Sequence, residues 1–308
     1  MNRKARFSWR ELHGIVLLDK PPALSSNQAL QAVRRLLRAA KGGHTGALDP
    51  LATGLLPLCF GEATKLAGGL LGARKAYLAE CRLGITTDTA DSEGDILQRR
   101  AVPELDDRDI EAALARLRGR IVQIPPAYSA IKQDGERLYA KARRGETVEV
   151  PSREVDVHRL ELLCRDGDTL TLMVECGSGT YVRSLAVDLG ESLGCGAHLT
   201  ALRRLWVEPF RTPDMVTMGQ LETAAEAGDA VLLALVLPVS AGLCDLPVLQ
   251  LDEAQSMAIA RGQQIELPGL VATGKCAAFA ADGALLAVIE PDVEGRARIL
   301  RGFNMPPG

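Results

Sequence analysis

The 308-residue chain is poor in aromatic residues, with five phenylalanines, four tyrosines and two tryptophans. No apolar run approaches the roughly 18 residues that a membrane-spanning helix needs. The opening residues, MNRKARFSWRELHG, lack the apolar stretch of a secretion signal. A cytoplasmic protein with no membrane segment is therefore expected. Seven cysteines (Cys59, Cys81, Cys164, Cys176, Cys195, Cys244 and Cys276) never fall as C-x-x-C, and their number is odd. That pattern argues against a disulfide framework or a structural zinc site, and for reduced thiols. A dinucleotide fingerprint, a P-loop and metal-ligand spacing are also missing, which is consistent with chemistry that needs neither cofactor nor metal. Positive charge is not in excess: 36 Lys and Arg face 39 Asp and Glu, for a net charge of −3. Taken alone, that balance speaks weakly against a nucleic-acid partner. Its distribution is uneven, however. Arg34, Arg35, Arg38 and Lys41 follow one another with no acid among them, and Arg116, Arg118 and Arg120 form a second cluster.

The length suits about two domains. Ile15–Leu18 is a short apolar run ending at Asp19-Lys20-Pro21, which predicts a buried strand closing in a turn. Ser25, Ser26 or Asn27 then caps a helix whose apolar face is Ala29, Leu30, Val33, Leu36, Leu37 and Ala40. A second helix starts at Asp106 or Asp107 and stops at Gly119. Leu170, Leu172, Val174 and Cys176 alternate as a strand, and Val182, Leu185, Ala186, Leu189 and Leu193 fall at helical spacing before Gly194. Residues 124–153 are polar and mixed in charge, with Tyr128, Lys132, Lys141, Arg143 and Arg144, and predict a projecting hairpin or loop-helix element. Residues 212–241 look helical with a break at Pro238. From Leu246 the texture changes to short β segments around one short helix, and Asp282-Gly283 is a hairpin signal. Asp88, Asp91, Glu93 and Asp95 lack the glycine and terminal glutamate of a calcium loop and predict a solvated acidic turn.

The segment with most chemical content is Gly42–Lys65, GGHTGALDPLATGLLPLCFGEATK. Asp49 stands there in a stretch nearly free of other charge, among Gly43, Gly46, Gly54, Gly61, Pro50 and Pro57. Glycine admits positive φ and close approach, and proline fixes φ, so the loop is pre-shaped around its acid. A carboxylate so placed can act as nucleophile, general base or electrostatic stabiliser. The segment closely resembles the signature of the TruB family of tRNA pseudouridine synthases. Four further blocks match that family in order: GIVLLDKPPALSSNQAL from Gly14, RLGITTDTADSEGDI from Arg82, IPPAYSAIKQDGERLYAKAR from Ile124, and GSGTYVRSLAVDLGESLGCGAHLTALRR from Gly177. Together they span most of residues 14–211. One departure is Ala23, where the family commonly has glycine.

The resemblance implies an α+β (mixed α/β) fold, the pseudouridine synthase fold. In it a mixed sheet flanked by helices spans residues 1–245, with an RNA-gripping insertion at about 124–153. A small β-barrel, PUA-like domain is implied over 246–308. It implies isomerisation of uridine 55 in the T arm of elongator tRNAs, without cofactor, by a protein whose simplest state is a monomer. Asp49 is then the catalytic aspartate, with attack on C1′ and removal of the ribose 2′ proton both open to it. Arg183 is its partner, favouring the ionised form. Tyr77 faces the target uracil, Tyr181 is a second pocket tyrosine, and Leu202 is an apolar contact to the base. His44 steadies the flipped nucleotides, and Lys20 and Lys65 are basic positions near the pocket or phosphate. Two other readings carry less: an RNA-folding protein with a vestigial site, and a glycosidase, which needs a second carboxylate for which the signature segment offers only Glu62.

Overall fold

The computed structural model describes residues 8–68, 74–126, 132–133, 136–137, 150–267 and 274–305. Its centre is an eight-stranded mixed sheet. Strand β1 (Gly14–Lys20) is followed by helix α1 (Ser26–Leu36), the short β2 (Gly42–His44) and β3 (Thr53–Phe60). Then come β4 (Arg74–Leu83), the small ladder of β5 (Ile85–Thr87) with β6 (Ile96–Arg99), helix α2 (Asp107–Ala115) and β7 (Gly119–Gln123). A ladder of β8 (Lys132–Gln133) with β9 (Glu136–Arg137) lies in the expected insertion and agrees with a hairpin there. Tyr128, Lys141, Arg143 and Arg144 lie outside the described residues. The long hairpin β10 (Arg153–Asp166) and β11 (Thr169–Gly177), helix α3 (Val182–Ser192) and β12 (Ala197–Val207) complete the sheet. Its order is β1-β3-β12-β4-β11-β10-β7, with β2 on β3.

The run Ile15–Leu18 is apolar throughout because both faces of the sheet are covered at this edge. Val16, Leu18, Leu56, Leu58 and Phe60 pack with α1 and the main core, while Ile15, Leu17, Leu55 and Cys59 face a second core on the opposite side. Helices α1, α2 and α3 carry the predicted stripes, and Ser25 caps α1 through a capping box with Gln28. Ala40 departs from expectation and is exposed: α1 ends at Leu36, and Arg38 takes a left-handed φ of 53°, turning the chain so that Ala39 is buried instead.

One glycine decides the centre of the sheet. The parallel pairing of β12 with β3 sets Arg204 opposite Gly54. Gly54 has φ of 91°, and a Cβ there would stand 2.2 Å from the Arg204 carbonyl oxygen. Only glycine lets the two backbones meet.

Residues 212–241 are helical only in part, as α4 (Met218–Ala227) and α5 (Asp229–Leu233) meeting at Gly228. A five-stranded sheet follows, in the order β13 (Val248–Gln250), β15 (Cys276–Phe279), β16 (Leu285–Pro291), β17 (Arg296–Gly302), β14 (Ile265–Glu266). It packs around helix α6 (Glu253–Ala260), which Asp252 caps. The outer face of this sheet gives Ala277, Leu285, Val288 and Phe303 to the second core, against Ile15, Leu17, Leu55 and Cys59. All seven cysteines are free thiols, and no helix among the described residues is long and apolar enough to cross a membrane.

Candidate active site

The loop between β2 and β3 that carries Asp49 is tied down from several sides. Ser26, one residue inside α1, is buried; its Oγ donates to Leu48 O at 3.0 Å and accepts from Leu48 N at 2.7 Å. Ala23 N donates to Pro50 O at 2.9 Å, and Ala52 N to Asp49 O at 3.1 Å. Lys20, fully buried, spends its ammonium on carbonyls: Pro21 O at 2.8 Å, Leu24 O at 2.6 Å and Pro50 O at 3.2 Å. Burial lowers its pKa to about 8; Glu93 and Asp49 oppose the shift, and Arg204 adds to it. Lys20 is thus a brace for the loop within the field of Asp49. The Ser-Ser pair divides its labour: Ser25 starts the helix and Ser26 holds the acid's loop.

The side chain of Asp49 is 38% exposed, with Oδ2 2.9 Å from Nε of Arg183. Arg183 lies in the first turn of α3, buried. Its Nη1 donates to Thr89 O at 2.8 Å and lies 3.4 Å from Oδ2 of Asp91. Burial raises the pKa of Asp49, and Asp91 adds to the rise, while Arg183 and then Lys20 pull it down. The expected pairing is therefore present, but the arginine limits a rise rather than producing a net fall.

Asp91 corrects the solvated acidic turn. It is 3% exposed, forms a bridge to Leu199 of β12, and its Oδ1 accepts from Thr89 Oγ1 at 2.5 Å and from Glu93 N at 3.1 Å. Its neighbour Glu93 is exposed, yet its pKa is raised by burial of the carboxyl and by Asp91 and Asp49. No feature of the sequence around Asp91 separates it from Asp88 or Asp95; its burial comes from a partner strand more than a hundred residues away.

The next residues of the site come from the paired strands β4 and β12. Tyr77 is buried and pairs in register with Arg204, as Ala79 does with Leu202. Leu202 shares a core with Tyr77 and Leu48. Burial raises the pKa of the Tyr77 phenol, Arg204 pulls it down, and the charge of Asp49 adds to the rise, which places the ring in the aspartate's field. Arg204 is fully buried, donating from Nε to Leu55 O at 2.7 Å and from Nη2 to Gly46 O at 3.0 Å. The sequence reading missed it, although strand alternation in the Arg203-Arg204 pair sends one of the two inward. Arg203 stays at the surface, in a bidentate pair with Asp19 at 3.0 and 2.8 Å.

His44 lies on β2 opposite Leu58, half-buried, with its pKa lowered by burial and by Arg204. Its Nδ1 is buried without a partner among the described residues. Tyr181 precedes α3; its backbone exchanges hydrogen bonds with the Gln123 side chain at 2.8 and 3.1 Å, and Arg153 stacks 4.7 Å from its ring centroid. Lys65 is not part of this group. Its Nζ pairs with Glu62 at 2.6 Å and donates to Gly302 O at 2.9 Å, while Glu62 accepts from Asn304 N at 2.7 Å. Among the described residues no cluster of three or more metal-ligating side chains occurs.

The chain matches a model described as TruB family pseudouridylate synthase (N terminal domain) over residues 34–182, and one described as tRNA pseudouridylate synthase B C-terminal domain over residues 183–243. Asp49 falls in the first and Arg183 opens the second. The tRNA pseudouridine synthase B of Xanthomonas axonopodis pv. citri (strain 306) is 58% identical over 301 residues, covering 98% of this chain and 97% of that protein. That of Xylella fastidiosa (strain Temecula1) is 55% identical over 301 residues, covering 98% and 99%. A solved H/ACA RNP bound to a substrate RNA containing 2′-deoxyuridine has a chain of the same fold, with a TM-score of 0.73 and 22% identity, covering 96% of this chain and 86% of that one. Identity of this order along nearly the whole length means that the chain belongs to the TruB family of tRNA pseudouridine synthases, and is an isomerase.

Proposed function

We propose that this enzyme converts uridine 55 in the T loop of elongator tRNAs to pseudouridine, with Asp49 as its catalytic carboxylate. The reaction breaks the N1–C1′ bond, turns the uracil and joins C5 to C1′ of the same nucleotide, so its atom balance calls for neither redox change nor donated group. What supports the reading is one arrangement: a half-exposed carboxylate that lies 2.9 Å from a buried arginine and whose charge reaches the buried phenol of Tyr77. The target base must leave the stack to reach it, at a cost of a few kcal/mol. In this reading Arg183 keeps Asp49 available as an anion, Tyr77 and Leu202 meet the flipped base, and His44, Tyr181 and Lys20 serve the substrate side, Lys20 by holding the loop. Residues 246–308 act as a PUA-like unit that grips the acceptor end, and the enzyme works in the cytoplasm as a monomer. Glu62, the other acid of the signature segment, is engaged with Lys65 and Asn304, so that segment supplies no second carboxylate for the glycosidase reading.

The test is release of tritium from C5-labelled tRNA transcripts, wild type beside Asp49→Asn, with the product mapped. Release by wild type alone, mapping to the T loop, is expected. Binding without release from several folded tRNAs would overturn the proposal, and free uracil would revive hydrolysis.

A further inference from the structure

Arg204 is the bulkiest fully buried side chain among the described residues, and its recorded hydrogen bonds go to carbonyl oxygens rather than to an acid. Taking a charged group out of water costs several kcal/mol unless it is compensated, so this position calls for an explanation. The geometry supplies one. Gly46 precedes Asp49 and Leu55 follows it, so Nη2 and Nε hold the two ends of the loop that carries the acid. The third nitrogen, Nη1, is buried without a hydrogen-bond partner among the described residues, and the residue opposite Arg204 across the strand pair is Tyr77. Gly46 has φ of +67°, and a Cβ there would stand in ordinary contact with Nη1 at 3.4 Å, so the loop backbone passes directly beside this nitrogen.

A guanidinium has five N–H donors and no acceptor. A hydrogen bond between Arg204 and the Tyr77 phenol can therefore run only from the guanidinium to the phenolic oxygen, which leaves the phenol's own O–H turned elsewhere. We infer that Arg204 is a positioning residue that clamps the Asp49 loop to β12 and orients the Tyr77 hydroxyl, so that the phenol offers its proton to the substrate. This rests on the reading that Tyr77 meets the target base. Hydrogen bonds of this kind are often long in a free enzyme and tighten when substrate binds. Lysine is a poor substitute, because a compact ammonium does not reproduce the spacing of donors along the planar fork that meets Leu55 O and Gly46 O.

The test is a double-mutant cycle of Arg204→Lys and Tyr77→Phe, read by single-turnover conversion of tRNA. Arg204→Lys is expected to fold, to keep KM within about threefold of wild type, and to lower the rate about a hundredfold, as small misplacements of reacting groups do. In the Tyr77→Phe background the same change is expected to cost much less, because the hydroxyl it acts on is gone. Equal losses in both backgrounds, or an unchanged rate in Arg204→Lys, would overturn the inference. If a variant is too slow or too unstable to measure, the guanidinium nitrogen resonances of Arg204 in Tyr77→Phe decide instead. They are expected to shift from their wild-type positions, and unshifted resonances would overturn it. A wild type inactive on every tRNA would instead count against the proposed function, leaving the resonance result to judge Arg204.

Discussion

Asp49 is held against its own tendency to stay protonated. Its folded pKa lies above the ordinary carboxylate value, chiefly through burial. A group raised in this way stabilises the fold while protonated, and that contribution is lost as pH rises through the folded pKa. Near neutral pH the ionised acid therefore works against stability. Asp49→Asn is expected to melt at a higher temperature than wild type at pH 7, with the gap closing as pH falls toward the ordinary carboxylate range, and to release no tritium. Melts across pH 4 to 8 check this, and a less stable Asn variant at pH 7 would contradict it. Asp91 is buried together with its arginine partner. Its side chain and that of Arg183 are 4% and 5% exposed, and breaking such a buried pair from one side costs about 3–5 kcal/mol. Asp91→Ala is expected to lose stability of that order and to slow turnover, since Arg183 then lacks one of the groups that fix it beside Asp49. Denaturant unfolding and turnover, measured on one preparation, separate the two losses.

At the scale of elements, the turn between β1 and α1 shows why one residue of the resemblance stood out. Ala23 has φ of 65°, where an L side chain pays about 1–2 kcal/mol and glycine does not, while its N–H holds Pro50 O at 2.9 Å. The position demands the left-handed conformation for the sake of the Asp49 loop. Ala23→Gly is accordingly expected to raise stability by up to about 1 kcal/mol, part of the relief being offset by glycine's greater freedom when unfolded, with activity unchanged. Chemical denaturation reads the difference; a destabilised glycine variant would mean that the turn is held without strain. The turn itself was legible from Lys20-Pro21, as were the start of α1 within Ser25–Asn27, the start of α2 at Asp106 or Asp107 and the alternation of β11, because each is a local pattern. Asp91, Arg204 and the buried state of Lys20 were not. Each is a charged residue whose ordinary place is the surface, and its burial depends on strands distant in sequence.

The molecule as a whole is built around a seam that the sequence did not show. Textural change near Leu246 marked where the second sheet begins, but not that its outer face shares a core with β1 and β3. That shared core explains why Ile15 and Leu17 are apolar on the side facing away from α1. It also relocates Lys65, which the resemblance placed with the substrate. Together with Glu62 it reaches Gly302 and Asn304 and so fastens the end of the chain to the catalytic sheet. Glu62 is held below its ordinary pKa by Lys65 and the Asn304 N–H despite partial burial, consistent with an anion gripped on both sides. The two placements of Lys65 predict different outcomes for Lys65→Met. With Lys65 at the seam, the variant is expected to unfold more easily by about 1 kcal/mol, the usual net value of such a bond, and to keep its single-turnover rate on a minimal T-arm hairpin. Under the proposed function the second sheet grips the tRNA, so full-length tRNA is expected to suffer more than the hairpin when that sheet is loosened. A tenfold slower reaction on the hairpin with unaltered stability would return Lys65 to the pocket. Comparing the two substrates therefore tests both this lysine and the coupling of the second sheet to the active site.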